Sequence, residues 1–191
     1  MRYLHRDDRR EVILQAAMRV ALADGFAAMT VRRIAQEAAV ATGQVHHHFA
    51  SANELKAQAF IRLIDALLNV EVVPATAPWR DQLHSMLGSD DGGLEPYVRL
   101  WREALVLAGK EPEIKGAYLL TMEMWCDKVV ELIDKGRAAG EFTGGDAAHD
   151  IAWRLIAFVC GMDGICMLGM PDVDEVAFNR HLAVMITKEL C

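Results

Sequence analysis

The chain has 191 residues, 53% of them hydrophobic, with 20 Lys or Arg against 27 Asp or Glu and a net charge of -7. That length and apolar content support a sizeable core and exclude a disordered chain. The apolar runs, such as IAFVCGM at 156–162, fall short of the roughly 20 residues of a membrane span. Met1 to Arg10 lacks the apolar block of a signal peptide, so a cytoplasmic protein without membrane attachment is expected.

The charge is unevenly spread. Residues 1–62 carry nine Lys or Arg, six Asp or Glu and four histidines, whereas residues 63–191 carry eleven Lys or Arg against twenty-one Asp or Glu. A basic head on an acidic body implies that only the head approaches a polyanion. Four cysteines, Cys126, Cys160, Cys166 and Cys191, form no CxxC pair and have no histidine at zinc-finger spacing, so neither a structural zinc nor a disulfide framework is indicated. Cys160 and Cys166 are read as small buried hydrophobes in preference to a redox pair.

No strand-like alternation occurs, and the expected fold class is all-α with about nine helices. In the first helix, about 7–24, Val12, Ile13, Ala16, Ala17, Val20 and Ala21 share one face, and Gly25 stands where a left-handed cap ends it. A second short helix starts at Thr30, whose hydroxyl caps its first turn. Its inner face is Val31, Ile34, Ala35 and Ala38, with Arg32, Arg33, Gln36 and Glu37 outward. The turn Ala39-Val40-Ala41 leads to a third helix at about 42–48, and a fourth begins near Ser51. PATAP, 74–78, breaks that helix, because proline stops helices and restricts the residue before it. Further breaks at 89–93, 109–112, 140–145 and 169–172 separate helices of about 79–88, 95–108, 112–139, 146–168 and 173–190.

Two short helices joined by a three-residue turn in a basic head have helix-turn-helix geometry, in which the second helix enters the major groove. Residues 9–60, with RREVILQAAMRVALADGF followed by TVRRIAQEAAVATGQVHHHF, resemble the DNA-binding head of the TetR family of transcriptional regulators. GRAAGEF at 136–142 is similar to that family's body. The resemblance implies a helix-turn-helix domain at 7–55 and a ligand-binding and dimerisation domain at 56–191.

Several positions depart from the family's pattern. Ala39 replaces the usual turn glycine, and alanine at positive φ costs about 1 kcal/mol relative to glycine. Ala41 replaces the usual serine, leaving Thr42 to cap with a shift of one residue. His46 and His48 replace tyrosines. Ala52 replaces a phosphate-gripping lysine, a role for which Lys56 is the substitute.

Three successive histidines on a helix, each turned about 100° from the last, cannot converge on one metal, and no metal or cofactor is expected. By family position His46 and His47 face DNA, while Val45, His48 and Phe49 pack inward. The expected DNA-contacting set is Thr30, Arg32, Arg33, Thr42, Gln44, His46, His47 and Lys56. Arg32 and Arg33 serve phosphates in this reading, and Gln44 pairs with an adenine edge.

For the body, the resemblance implies a ligand pocket enclosed by the fourth to seventh helices, and dimerisation through the last two. Trp101, Tyr118, Met122, Trp125 and Trp153 are the candidate pocket residues. Glu103, Glu123 and Asp163 would suit a cationic ligand. FVCGMDGICMLGM, 158–170, is similar to the closing segment of repressors of the choline-betaine pathway. Gly161 and Gly164 there would equally permit close helix approach. The expected function is a homodimeric, effector-responsive repressor on a palindromic double-stranded DNA operator. The rivals are a DNA-binding or protein-interaction module without ligand control, and a small helical enzyme. Against the enzyme stands the lack of a nucleophile and base motif, metal spacing or phosphate-binding glycine loop.

Overall fold

The computed structural model describes residues 6–88 and 93–191. Among them are α1 (Arg6–Asp24), α2 (Val31–Glu37), α3 (Thr42–His48), α4 (Ala52–Leu68), α5 (Trp79–Leu87), α6 (Glu95–Ala108), α7 (Pro112–Ala138), α8 (Ala148–Met167) and α9 (Glu175–Leu190). A 3-10 turn at Phe26–Ala28 follows α1, and the described residues contain no strand. The fold is all-α as expected, and the helix ends fall within two residues of those read from the sequence except at α4, which stops at Leu68, before the PATAP segment read as breaking it. Residues 89–92 of the expected break lie outside the described residues. None of the described helices is long and apolar enough to cross a membrane.

The chain forms two compact units. The first comprises the described residues up to Leu67 together with Leu94–Met122. In it α1 packs on α2, α3 and α6. Ile13, Leu14, Ala16, Ala17, Val20 and Ala21 are buried, as are Ile34 and Ala35 of α2. Val12 and Val31, expected on inner faces, are only half-buried, and Leu14 is buried instead. Coverage of α1 from more than one side makes its buried arc wider than a single amphipathic stripe.

The end of α1 is closed by α6. Arg99 Nη2 donates to the Leu22 carbonyl at 2.7 Å, and the Phe26 N–H donates to Glu103 Oε2 at 2.6 Å. These two bonds satisfy backbone groups that a helix terminus leaves without intrahelical partners. Gly25 has φ of 79°, and a Cβ there would lie 2.7 Å from Glu103 Oε1. Both the left-handed backbone and the closeness of Glu103 therefore require glycine. A chain of rings runs on from this point: Phe26 to Phe60 at 5.7 Å, Phe60 to Trp101 at 6.1 Å, and Trp101 to Tyr118 at 6.1 Å between centroids.

The second unit comprises the described residues of Leu68–Gly93 and Glu123–Cys191. In it α9 packs on α8 and α5, and Leu83, Leu87, Val129, Ile133, Leu155, Ile156, Leu182 and Ile186 are buried. The GRAAGEF segment ends α7 by turning Phe142 back over the helix. A Cβ at Gly136 would fall 2.2 Å from the Phe142 ring, so that closure needs glycine. Cys126 is buried, and burial together with the neighbouring Asp127 carboxylate pushes its thiol up. Cys160 is exposed and Cys166 half-buried, contrary to the burial read for both, because that stretch of α8 is not covered on every side.

In the turn between α2 and α3, Ala39 has φ of 55°, and the Val40 N–H donates to the Ala35 carbonyl at 2.9 Å. The alanine thus occupies the left-handed conformation, which costs an L-residue roughly 1–2 kcal/mol, partly offset by glycine's entropic cost at the same place. Ala39→Gly should therefore stabilise the protein by about 0.5–1 kcal/mol, raising Tm by about 2 °C. A thermal melt showing an unchanged or lower Tm would remove the strain from this account.

Candidate nucleic-acid interface

The interface is built from the first turn of α1, the exposed side of α2 and the outer face of α3. Thr30 precedes α2 in extended conformation, and its hydroxyl accepts the Arg33 N–H at 3.2 Å, as a capping threonine should. Burial of Ile34 and Ala35 turns Arg32 and Gln36 to solvent.

In α3 the inward residue is Val45, 2% exposed, followed by Phe49, 3% exposed, just past the helix end. Successive residues are about 100° apart, so fixing Val45 inward fixes the rest of the face. Thr42, Gly43, His46 and His47 are exposed, Gln44 is half-buried, and His48 is half-buried at the edge of the head. This is the division of the three histidines read from the sequence. His47 and His48 meet edge to face at 5.2 Å. No group of three or more His, Cys, Asp or Glu that could hold a metal occurs among the described residues.

One local expectation fails. Ala41, with φ of -70° and ψ of 146°, is itself the residue before the helix, and α3 begins at Thr42. Thr42 therefore does not cap by shifting the start; α3 has no side-chain cap, and the Thr42 hydroxyl stands on the exposed first turn.

The basic groups divide by what holds them. Arg33 pairs with Glu37 at 2.9 Å and with Asp24 at 3.4 Å, while Arg19 reaches the same Glu37 at 2.9 Å. Hydrogen bonds from Arg19 and Arg33 hold the Glu37 carboxyl below the usual carboxylate range. Arg33 thus ties α2 to the end of α1, whereas Arg32 is exposed on the outer side. At the start of α4, Ser51 Oγ accepts the Glu54 N–H at 2.9 Å, and Glu54 Oε2 accepts the Ala50 N–H at 2.7 Å. Lys56 lies one turn further on and is half-buried.

Sequence reasoning missed the first turn of α1. Arg9 Nη1 donates to Gln44 Oε1 at 3.3 Å, across 35 positions of sequence. Next to it, Arg10 lies over the Phe49 ring at 4.7 Å and donates to Gln58 Oε1 of α4. The pair of arginines at the start of RREVILQ was the available signal, but helical period alone does not say what lies opposite them.

Of the candidate pocket residues, Trp101 and Tyr118 are brought together edge to face in the first unit, and Met122 follows Tyr118 by one turn of α7. Trp125 and Trp153 belong to the second unit. There the Trp125 indole N–H donates to the Met86 carbonyl at 3.3 Å, and that of Trp153 to His149 Nε2 at 3.2 Å. Glu103, considered for a cationic ligand, spends its carboxylate on the Phe26 N–H.

Comparison with protein families matches residues 13–59 to bacterial regulatory proteins of the tetR family. No curated protein matches the sequence significantly. Solved structures match over nearly the whole chain. A transcriptional regulator of Saccharomonospora viridis in complex with choline is 21% identical, with a TM-score of 0.74 over 96% of this chain and 98% of that one. A TetR-family regulator of Cytophaga hutchinsonii is 18% identical, with a TM-score of 0.77 over 99% and 98%. The multidrug binding protein EbrR complexed with proflavin is 22% identical, with a TM-score of 0.64 over 93% and 99%. At these identities the likeness carries the fold. Residues 13–59 thus match the family model of bacterial regulatory proteins of the tetR family, and the chain as a whole takes the fold of these solved regulators.

Proposed function

We propose that the chain is a transcriptional repressor, binding a palindromic operator as a homodimer and released by a small-molecule effector. The observation that carries this reading is the outer face of α3. Thr42, Gln44, His46 and His47 are presented there beside Arg9, while Val45 and Phe49 lock the helix to the head. Thr30, Arg32 and Lys56 complete the phosphate-facing set, with Arg33, held by Glu37 and Asp24, positioning α2 beside them. Residues 7–55 act as the DNA-binding domain and 56–191 as the effector and dimer domain.

Homodimer formation is supported by the apolar side chains that α8, α9 and the turn between them leave exposed: Ile165, Met167, Leu168, Met170, Val176 and Val184. Apolar residues gathered in this way mark association surfaces when they form a patch. The effector is assigned to Trp101, Tyr118 and Met122, with Trp125 and Trp153 as candidates from the second unit. A small organic cation is the favoured class, because aromatic faces attract cations and two proteins of this fold hold choline and proflavin. The tie from α6 to the end of α1, and the ring chain from Phe26 to Tyr118, give such a ligand a packed route to the head. A ligand acts through that route only by binding the released state more tightly than the DNA-bound one.

Selection of bound duplexes from a random pool tests the reading. Inverted repeats with half-site centres about 34–36 Å apart, or a multiple, should be enriched. Failure to enrich any sequence, or enrichment of single asymmetric sites, would refute the paired-helix mode.

A further inference from the structure

Gln44 stands on α3 with its side-chain oxygen 3.3 Å from Arg9 Nη1. A guanidinium carries five N–H donors and no acceptor, so the amide atom beside it must be the oxygen. The Gln44 amide nitrogen accordingly points away from Arg9. What this pair can offer a base is then a row of donors: the two N–H of Gln44 and the remaining N–H groups of Arg9. The acceptor of the amide lies against a positive charge. Arg10, the next residue, is anchored on Phe49 and Gln58, which fixes the turn of α1 from which Arg9 reaches.

We infer that Arg9 is a specificity-determining residue, which makes Gln44 a donor-only reader and directs it to guanine. A glutamine without such a neighbour pairs with adenine, donating to N7 and accepting from the N6 amine. Beside the Arg9 guanidinium the second half of that pairing is opposed, because the N6 amine would bring donor hydrogens against a cation. Guanine presents N7 and O6 side by side in the major groove, both acceptors, and matches the donors that remain. The inference rests on the reading of α3 as the DNA-contacting helix, and replaces the adenine assigned to Gln44 from the sequence alone.

The test uses the full-length protein and duplexes carrying a selected site, with each half-site base pair changed in turn and affinity measured at fixed salt. The base read by Gln44 is the one at which Gln44→Ala levels the preference. There the wild type should favour guanine over adenine by about tenfold. Arg9→Ala should reverse that order, and Arg9→Lys, which still donates to the oxygen, should keep guanine ahead. Three results overturn the inference: a wild-type preference for adenine at that position, an Arg9→Ala protein with weaker affinity but an unchanged ratio, or an Arg9→Lys protein that binds while preferring adenine. A wild type whose binding to every duplex is insensitive to salt refutes the DNA-contacting role of α3 itself, which separates that failure from failure of the Arg9 assignment.

Discussion

The burial of Val45 and Phe49 is the constraint on which the interface depends. Removing two large apolar side chains from water contributes on the order of 1.5–3 kcal/mol each. A helix of only seven residues, Thr42–His48, is too short to be stable by its own propensity. Its phase therefore comes from the head's core. Once Val45 faces inward, the helical angle turns His47 away from the core and sets Gln44 and His46 to either side, while Thr42 is exposed at the open first turn. Arg9 then adds a bond that orients Gln44 within that face.

The same unit holds its own end of α1 through residues far away in sequence. Leu22 and Phe26 find their partners in Arg99 and Glu103, one turn apart on α6, each 77 positions away. Gly25 is fitted to this arrangement, since any side chain would meet the Glu103 carboxylate. A shift of α6 by a fraction of its side-chain contacts would thus be felt at the end of the helix that carries Arg9 and Arg10. Glu103, one of the acidic side chains that looked suited to an organic cation, is instead held by the Phe26 N–H.

Much of this was legible in the sequence because it is local. Helical period, the Thr30 cap and the glycines and prolines that end helices are properties of neighbouring residues, and they located the helices closely. The strained Ala39 was legible as a departure from a recognised turn. Contacts spanning 35 or 77 positions were not legible, since period says which side of a helix is inward and nothing of what lies against it. Cys160 shows the same limit: it was read as buried and proved exposed. The candidate pocket residues were the least legible, because aromatic and methionine side chains serve packing and ligand binding alike.

Methylation protection on a selected operator tests the central claim most directly. Dimethyl sulfate attacks guanine N7 in the major groove and adenine N3 in the minor groove, so it reports which groove α3 occupies. The account predicts protection of guanine N7 at two patches on one face of the duplex, one per half-site. Protection confined to adenine N3, or no protection at a saturating concentration of protein, would contradict it.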